Sequence, residues 1–182
     1  MNKRHTKGLP KLTVNEIQRC LYSLYIEKGY KYFSQNSFGL GKYEVDYIAV
    51  HPENMFTVEF EIKRSKSDFR ADFKKGDKHI LLKKGLWPVN QFYFVCQRGI
   101  LDKNQIPSHL GLITIEKIPY YKEINKRGIK RKIKKYKYDV AIEKKAKVLH
   151  QRSLSPHILL TLLTSVMHKF YENYKIEKTK NE

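Results

Sequence analysis

The sequence predicts an α/β fold: a helix, three strands, a second helix and a fourth strand (αβββαβ) around a mixed central sheet, then a basic β-hairpin extension and a C-terminal helix. Three observations carry this. Residues 56–63 (FTVEFEIK) alternate strictly, with Val58, Phe60 and Ile62 on one face and Glu59, Glu61 and Lys63 on the other, the period of a strand. Val14, Ile17, Leu21 and Leu24 recur at the spacing of a helix face, behind a T-x-x-E capping box of Thr13 and Glu16. Between 117 and 150, lysine and arginine crowd a stretch in which Tyr136, Tyr138, Val140 and Ile142 still alternate with polar residues.

Taken in order, residues 1–12 form a basic tail, and the first helix opens at Thr13 and closes at Gly29, a residue suited to the left-handed turn after a helix. Residues 30–33 are a short aromatic strand. Residues 43–50 (YEVDYIAV) are a second, rich in β-branched and aromatic side chains. The gap between them carries Gly39 and Gly41, and HPEN at 51–54 supplies the turn into the third strand. Ser65 or Ser67 opens the second helix, with Phe69 and Phe73 four apart on one face. Residues 76–90 are polar and show no assignable period. Residues 91–96 (QFYFVC) give the fourth strand and residues 110–115 (LGLITI) a fifth, led in by IPSH. Residues 118–124, a turn at 125–128 and the alternating run after it make the hairpin. Ser155 and Pro156 read as an N-cap followed by proline at the first helical position. Ile158, Leu159, Leu162, Leu163, Val166 and Phe170 then mark the apolar face of the last helix. The expected organisation is one domain: tail 1–12, core 13–116, hairpin extension 117–150, and C-terminal helix with a polar tail 151–182.

Of the 182 residues, 37 are Lys or Arg and 18 are Asp or Glu, a formal net charge of +19. A field this basic suits a polyanionic partner, with nucleic acid first and an anionic membrane surface second. Hydrophobic residues at 41% and aromatics at 13% supply a core, which excludes full disorder. No apolar run reaches the about 18 residues of a membrane span. The N-terminal MNKRHTKGLPK has the charge of a signal peptide without its apolar segment. Cys20 and Cys96 make neither a disulfide framework nor a zinc spacing, which fits a reducing compartment. A cytoplasmic protein with no membrane partner is expected.

Asp46 sits within an otherwise apolar strand, and Glu61 and Lys63 lie two apart on the next, so they share a face. Adjacent antiparallel strands can bring Asp46 beside Glu61. Two carboxylates at close range resist ionisation unless a cation sits between them. Hard oxygen ligands suit Mg²⁺, which binds through one or two carboxylates and keeps several waters. A lysine beside them can orient a water and offset charge on a phosphoryl transition state.

The pattern Asp46 … Glu61-Ile62-Lys63 in this element order resembles the PD-(D/E)XK nuclease superfamily. Further stretches resemble its MmcB-like DNA-repair and phage-encoded branch: EIKRSKSDFRADFKKGDKH at 61–79, QFYFVC, IPSHLGLITI at 106–115 and KKAKVLH at 144–150. Together they span residues 13–150. The resemblance implies a restriction-endonuclease-like core and an endonuclease dependent on Mg²⁺ or Mn²⁺, acting on DNA in a bacterial or phage-infected cell. Asp46 and Glu61 would be metal ligands, the Ile62 carbonyl a further one, and Lys63 the catalytic lysine. Some members add a glutamate of the first helix, here Glu16. Val45 stands where the family's motif has proline.

Competing roles are open for several of these residues. Glu16 is already explained by its capping box. Glu59 shares the face of Glu61 and either joins the metal shell or sits beyond it near solvent, the second being favoured; Glu44 reads as a rim residue. Lys66, Arg70, Lys74 and Lys75 make either a solvated helix face or phosphate contacts beside the site. Asp68 and Asp72 read as cap and helix-surface groups. His79, His109 and His150 show no ligand spacing, and Trp87 reads as a packing residue. In the hairpin, Arg127, Lys130, Arg131, Lys132, Lys134 and Lys135 are the expected DNA contacts; Tyr120, Tyr121, Tyr136 and Tyr138 interleave with lysines as on stacking-plus-phosphate surfaces, and at least half of them are expected to form instead the apolar side of a hairpin resting on the core. The alternative function is a nucleic-acid-binding protein with a nuclease-like fold and no catalysis. RNA is the other substrate the charge admits, and the apolar face of the last helix leaves a homodimer open.

Overall fold

A computed structural model describes residues 10–38, 40, 43–74, 76–126 and 129–180. The first helix, α1 (Val14–Ile26), starts where the capping box places it: the Thr13 hydroxyl accepts from the Glu16 N–H, and the Glu16 carboxylate accepts from the Thr13 N–H at 2.9 Å. It ends in a Schellman-type turn. Gly29 adopts φ +86°, and the Tyr30 N–H donates back to the Tyr25 carbonyl.

Six strands follow in one mixed sheet, ordered as they occur in the chain: β1 (Tyr32–Ser37), β2 (Val45–Val50), β3 (Thr57–Lys63), β4 (Gln91–Gln97), β5 (Gly111–Lys126) and β6 (Ile129–Lys144). The pairs β1/β2, β2/β3 and β5/β6 are antiparallel, whereas β3/β4 and β4/β5 are parallel. A parallel pair needs a crossover. The β3–β4 crossover carries α2 (Lys66–Asp72) and α3 (Lys78–Lys83). Ser65 is the cap of α2, its hydroxyl accepting from the Asp68 N–H. The last helix, α4 (Pro156–Lys180), starts at the expected Ser155–Pro156 boundary.

Both faces of the sheet are covered. Against α1 lie Tyr47, Ala49, Val58, Phe60, Ile62, Tyr93, Val95, Ile113 and Ile115. Against α2, α3 and α4 lie Ile48, Val50, Phe92, Phe94, Cys96 and Leu112, with Phe69, Leu82, Trp87 and Leu162 from the covering layer. Burying each large apolar side chain contributes about 1.5–3 kcal/mol, so the two-sided core fixes the pleat of β3 between them. Every residue of β3 is buried, Glu59, Glu61 and Lys63 included.

Several expectations change. The first strand runs over Tyr32–Ser37, later than 30–33, because Tyr30 belongs to the turn after α1 and the polar residues Ser34 to Ser37 pair along β2. The unassigned stretch after Gly76 contains α3, a single amphipathic turn and a half whose period is too short to read. The hairpin extension grows out of the sheet without a break: β5 is one continuous 16-residue strand whose first residues pair with β4 and whose last pair only with β6. After β6 the chain returns over the core, with Ala146 and Leu154 buried. On α4, Leu162 enters the core, while Leu160, Met167, Phe170 and Tyr171 are exposed.

Candidate functional site

β2 and β3 are hydrogen-bond partners only as far as Tyr47 opposite Phe60. One step further, the same register sets Asp46 across from Glu61. There the Asp46 side chain replaces the ladder, its Oδ2 accepting from the Ile62 N–H at 2.7 Å. The strands part at this point, and a cleft of about 460 Å³ opens between them. Its lining includes Asn15, Asn36, Asp46, Glu61, Ile62 and Lys63. The three residues of the sequence motif therefore share one cleft. A larger cleft of about 630 Å³ adjoins it through Lys63, Arg64 and Asp68, and adds Lys11 and Arg98 to its lining.

Beneath the cleft, a chain of ion pairs runs along the β3 face covered by α2 and α3. The Lys63 ammonium lies 2.9 Å from Glu61 Oε1 and 2.9 Å from Asp72 Oδ1. The other Glu61 oxygen is 2.9 Å from the Lys78 ammonium, which also meets Glu59 Oε1 at 2.7 Å. Glu59 Oε2 accepts from the Trp87 indole N–H at 2.7 Å. At the other end, Asp72 Oδ2 lies 2.7 Å from His79 Nε2. All of these groups except His79 are at most a few per cent exposed. Burial works against the charge on Glu61, but Lys78 and Lys63 outweigh it and the neighbouring Asp72, holding its carboxyl below the usual range. Burial likewise opposes the charge on Lys78, and Glu59 and Glu61 push its pKa above the ordinary lysine value.

Two sequence expectations are corrected here, and one neighbour is added. Glu59 neither lines the cleft nor lies near solvent; it is fully buried, where it accepts from the Trp87 indole and pairs with the Lys78 ammonium. Asp72 is not a helix-surface group but fully buried, clasped between Lys63 and His79. Lys78 is a site neighbour that the sequence does not signal, because one lysine in a polar stretch carries no pattern and only the crossover brings it over β3. Asp68 caps as expected, accepting from the Arg64 N–H at 3.0 Å. Trp87 packs in the core, and His150 binds the Trp87 carbonyl at 2.8 Å.

Glu16 does not join the Asp46 cleft. It lines a separate one with Arg19, Cys20 and Tyr138. There it accepts from the Tyr138 hydroxyl at 2.6 Å and pairs with the Lys117 ammonium at 2.7 Å, tying α1 to the hairpin. Burial opposes its ionisation, yet Lys117, the Thr13 N–H and the Tyr138 hydroxyl prevail and hold its pKa at about 2. On α1, Val14 and Asn15 line the motif cleft, while Gln18 donates to the Asp46 carbonyl at 3.1 Å.

Lys66, Arg70 and Lys74 are exposed on and just beyond α2, next in the chain to Lys63. Lys130, Arg131, Lys132, Lys134 and Lys135 are exposed on β6, and all four hairpin tyrosines are at least 36% exposed, none of them buried against the core. The Lys117 and Lys134 ammoniums lie 4.4 and 5.7 Å from the Tyr136 ring centre. Lys75 and Arg127 lie outside the described residues.

The donor set of the cleft fits a hard cation. Asp46 and Glu61 bring carboxylate oxygens to its lining, the donor type such an ion takes. Among the described residues no three or more His, Cys, Asp or Glu side chains gather into a ready-made cage. Among them too, no helix is long and apolar enough to cross a membrane.

No family model matches the chain, and no curated protein does. Among solved structures it is similar to the SPO1766 protein of unknown function from Silicibacter pomeroyi, with a TM-score of 0.58 at 15% identity, over 95% of this chain and 97% of that one. At that identity the likeness is one of fold.

Proposed function

We propose that the protein is a nuclease dependent on Mg²⁺ or Mn²⁺ that hydrolyses phosphodiester bonds of DNA, working in phage or bacterial DNA processing or repair. The observation that carries this reading is the shared cleft of Asp46, Glu61 and Lys63, three groups drawn from two strands that part there. The element order supports it as well. A helix on one face, three antiparallel strands, crossover helices on the other face and a parallel fourth strand agree with a restriction-endonuclease-like core.

Asp46 and Glu61, with the Ile62 carbonyl, would hold the metal, which when bound polarises a phosphate oxygen and acidifies a water. The chain's own groups do the rest. Lys63, which lines the cleft, would supply the ammonium that orients a water and offsets charge developing on phosphorus. The exposed cations after β3 and along β6 hold flanking phosphates, a sequence-independent grip. The test is cleavage of labelled DNA with Mg²⁺ or Mn²⁺. Asp46→Asn and Lys63→Met should abolish cutting and spare binding. Wild-type protein inert on double-stranded, single-stranded and branched DNA and on RNA would refute the reading.

One observation favours a second reading, a nucleic-acid binder without catalysis: both Glu61 oxygens are ion-paired and Lys63 is 2% exposed. Under it, EDTA changes nothing and Asp46→Asn strengthens or spares binding.

A further inference from the structure

Lys63 is a long, flexible side chain, and an ammonium that serves chemistry has to be held in one place. In this structure its ammonium lies 2.9 Å from each of two carboxylates, with Asp68 Oδ1 farther off at 4.0 Å. Glu61 comes from its own strand and lines the cleft; Asp72 comes from α2 and does not. Asp72 is fully buried and in turn fixed through its second oxygen by His79, whose ring stacks on Phe73 at 4.4 Å between centres. A buried carboxylate bridging a lysine and a histidine is costly to assemble for stability alone. The ends of the bridge also differ: one is the buried ammonium of a residue that lines the cleft, the other an imidazole 14% exposed.

We infer that Asp72, braced by His79, is a positioning residue that holds the Lys63 ammonium against the cleft. The inference rests on the nuclease reading for its catalytic consequence but not for its geometry. Asp72 touches Lys63 and His79 and does not line the cleft, so Lys63 is the link between it and the cleft. Asp72→Asn keeps the volume and one acceptor oxygen while removing the charge that fixes Lys63. In outer shells of such sites, comparable losses lower activity about 10–100-fold. For Asp72→Asn the drop should fall on kcat, with KM for DNA and the Mn²⁺ dissociation constant unchanged. His79→Gln, a change at a partly exposed position, should lower kcat in the same direction by a smaller factor, so the inference stays testable if Asp72→Asn does not fold.

A second readout is independent of activity. The ammonium protons of a lysine locked in two buried ion pairs exchange slowly and give a resolved ¹⁵N signal. The Lys63 signal, assigned by its loss in Lys63→Met, should be visible in the wild type and broaden in Asp72→Asn. An unchanged kcat and an unchanged Lys63 signal in folded Asp72→Asn would overturn the inference. So would a fall in melting temperature with kcat per folded molecule intact. An inert wild type whose Lys63 signal still depends on Asp72 would sink the nuclease reading and keep the positioning role.

Discussion

Replacing Lys78 by methionine tests the buried ion-pair chain most directly. Its ammonium, 1% exposed, is the shared partner of Glu59 and Glu61 at 2.7 and 2.9 Å. Methionine fills most of the volume and supplies no charge. Glu61 keeps Lys63, but Glu59 keeps only the Trp87 indole N–H. Removing one partner of a buried pair leaves an uncompensated charge and costs about 3–5 kcal/mol. For a chain of this length that corresponds to a fall in melting temperature of about 6–20 °C. Adding Glu59→Gln to Lys78→Met removes the stranded charge while its amide oxygen still accepts from Trp87. The double variant should therefore recover at least about 1 kcal/mol relative to the sum of the single changes, within the range seen for touching residues. Urea unfolding followed by circular dichroism measures all four proteins. A Lys78→Met cost under about 1 kcal/mol, or strictly additive single effects, would refute the reasoning.

Other predictions follow from particular groups. Glu16 has its folded pKa lowered from 4.5 to about 2, so its contribution to stability is full above pH 4.5 and is lost as pH falls towards 2. The melting-temperature deficit of Glu16→Gln should accordingly shrink across that window, and a constant deficit would contradict it. Changing Lys130, Arg131, Lys132, Lys134 and Lys135 to glutamine should flatten the salt dependence of nucleic-acid binding by about 0.9 in log–log slope for each phosphate that is no longer neutralised. Because these side chains are exposed, the melting temperature should hold. Cys20 and Cys96 are buried, and burial first of all pushes both thiols up to about 11. A thiol reagent should find neither in native protein and both after denaturation, since only the thiolate attacks.

The local elements were legible in the sequence because short-range physics writes them there. A capping box fixes its helix start, strict alternation marks β3, and Ser-Pro starts α4. The motif residues were legible for a related reason. Asp46 interrupts an apolar strand and Glu61 and Lys63 share a face, and the observed register sets Asp46 opposite Glu61. Charge also pointed to the hairpin, where alternation survives among lysines.

What only the tertiary structure decided is the meaning of the polar face of β3. Alternation says that Glu59, Glu61 and Lys63 share a side; it does not say whether that side meets water. The parallel pairing of β3 with β4 requires a crossover, the crossover lays α2 and α3 over that face, and the face is buried. Buried charge needs a partner of opposite sign. The partners arrive from 9 and 17 residues away, as Asp72 to Lys63 and Lys78 to Glu61, through contacts no local spacing records. Glu16 goes the other way for the same reason: its helix packs on the opposite face of the sheet, where Lys117 and Tyr138 are within reach and Asp46 is not among its partners. The sequence alone determined which residues could form the site; the side of the sheet each element covers decided which of them meet.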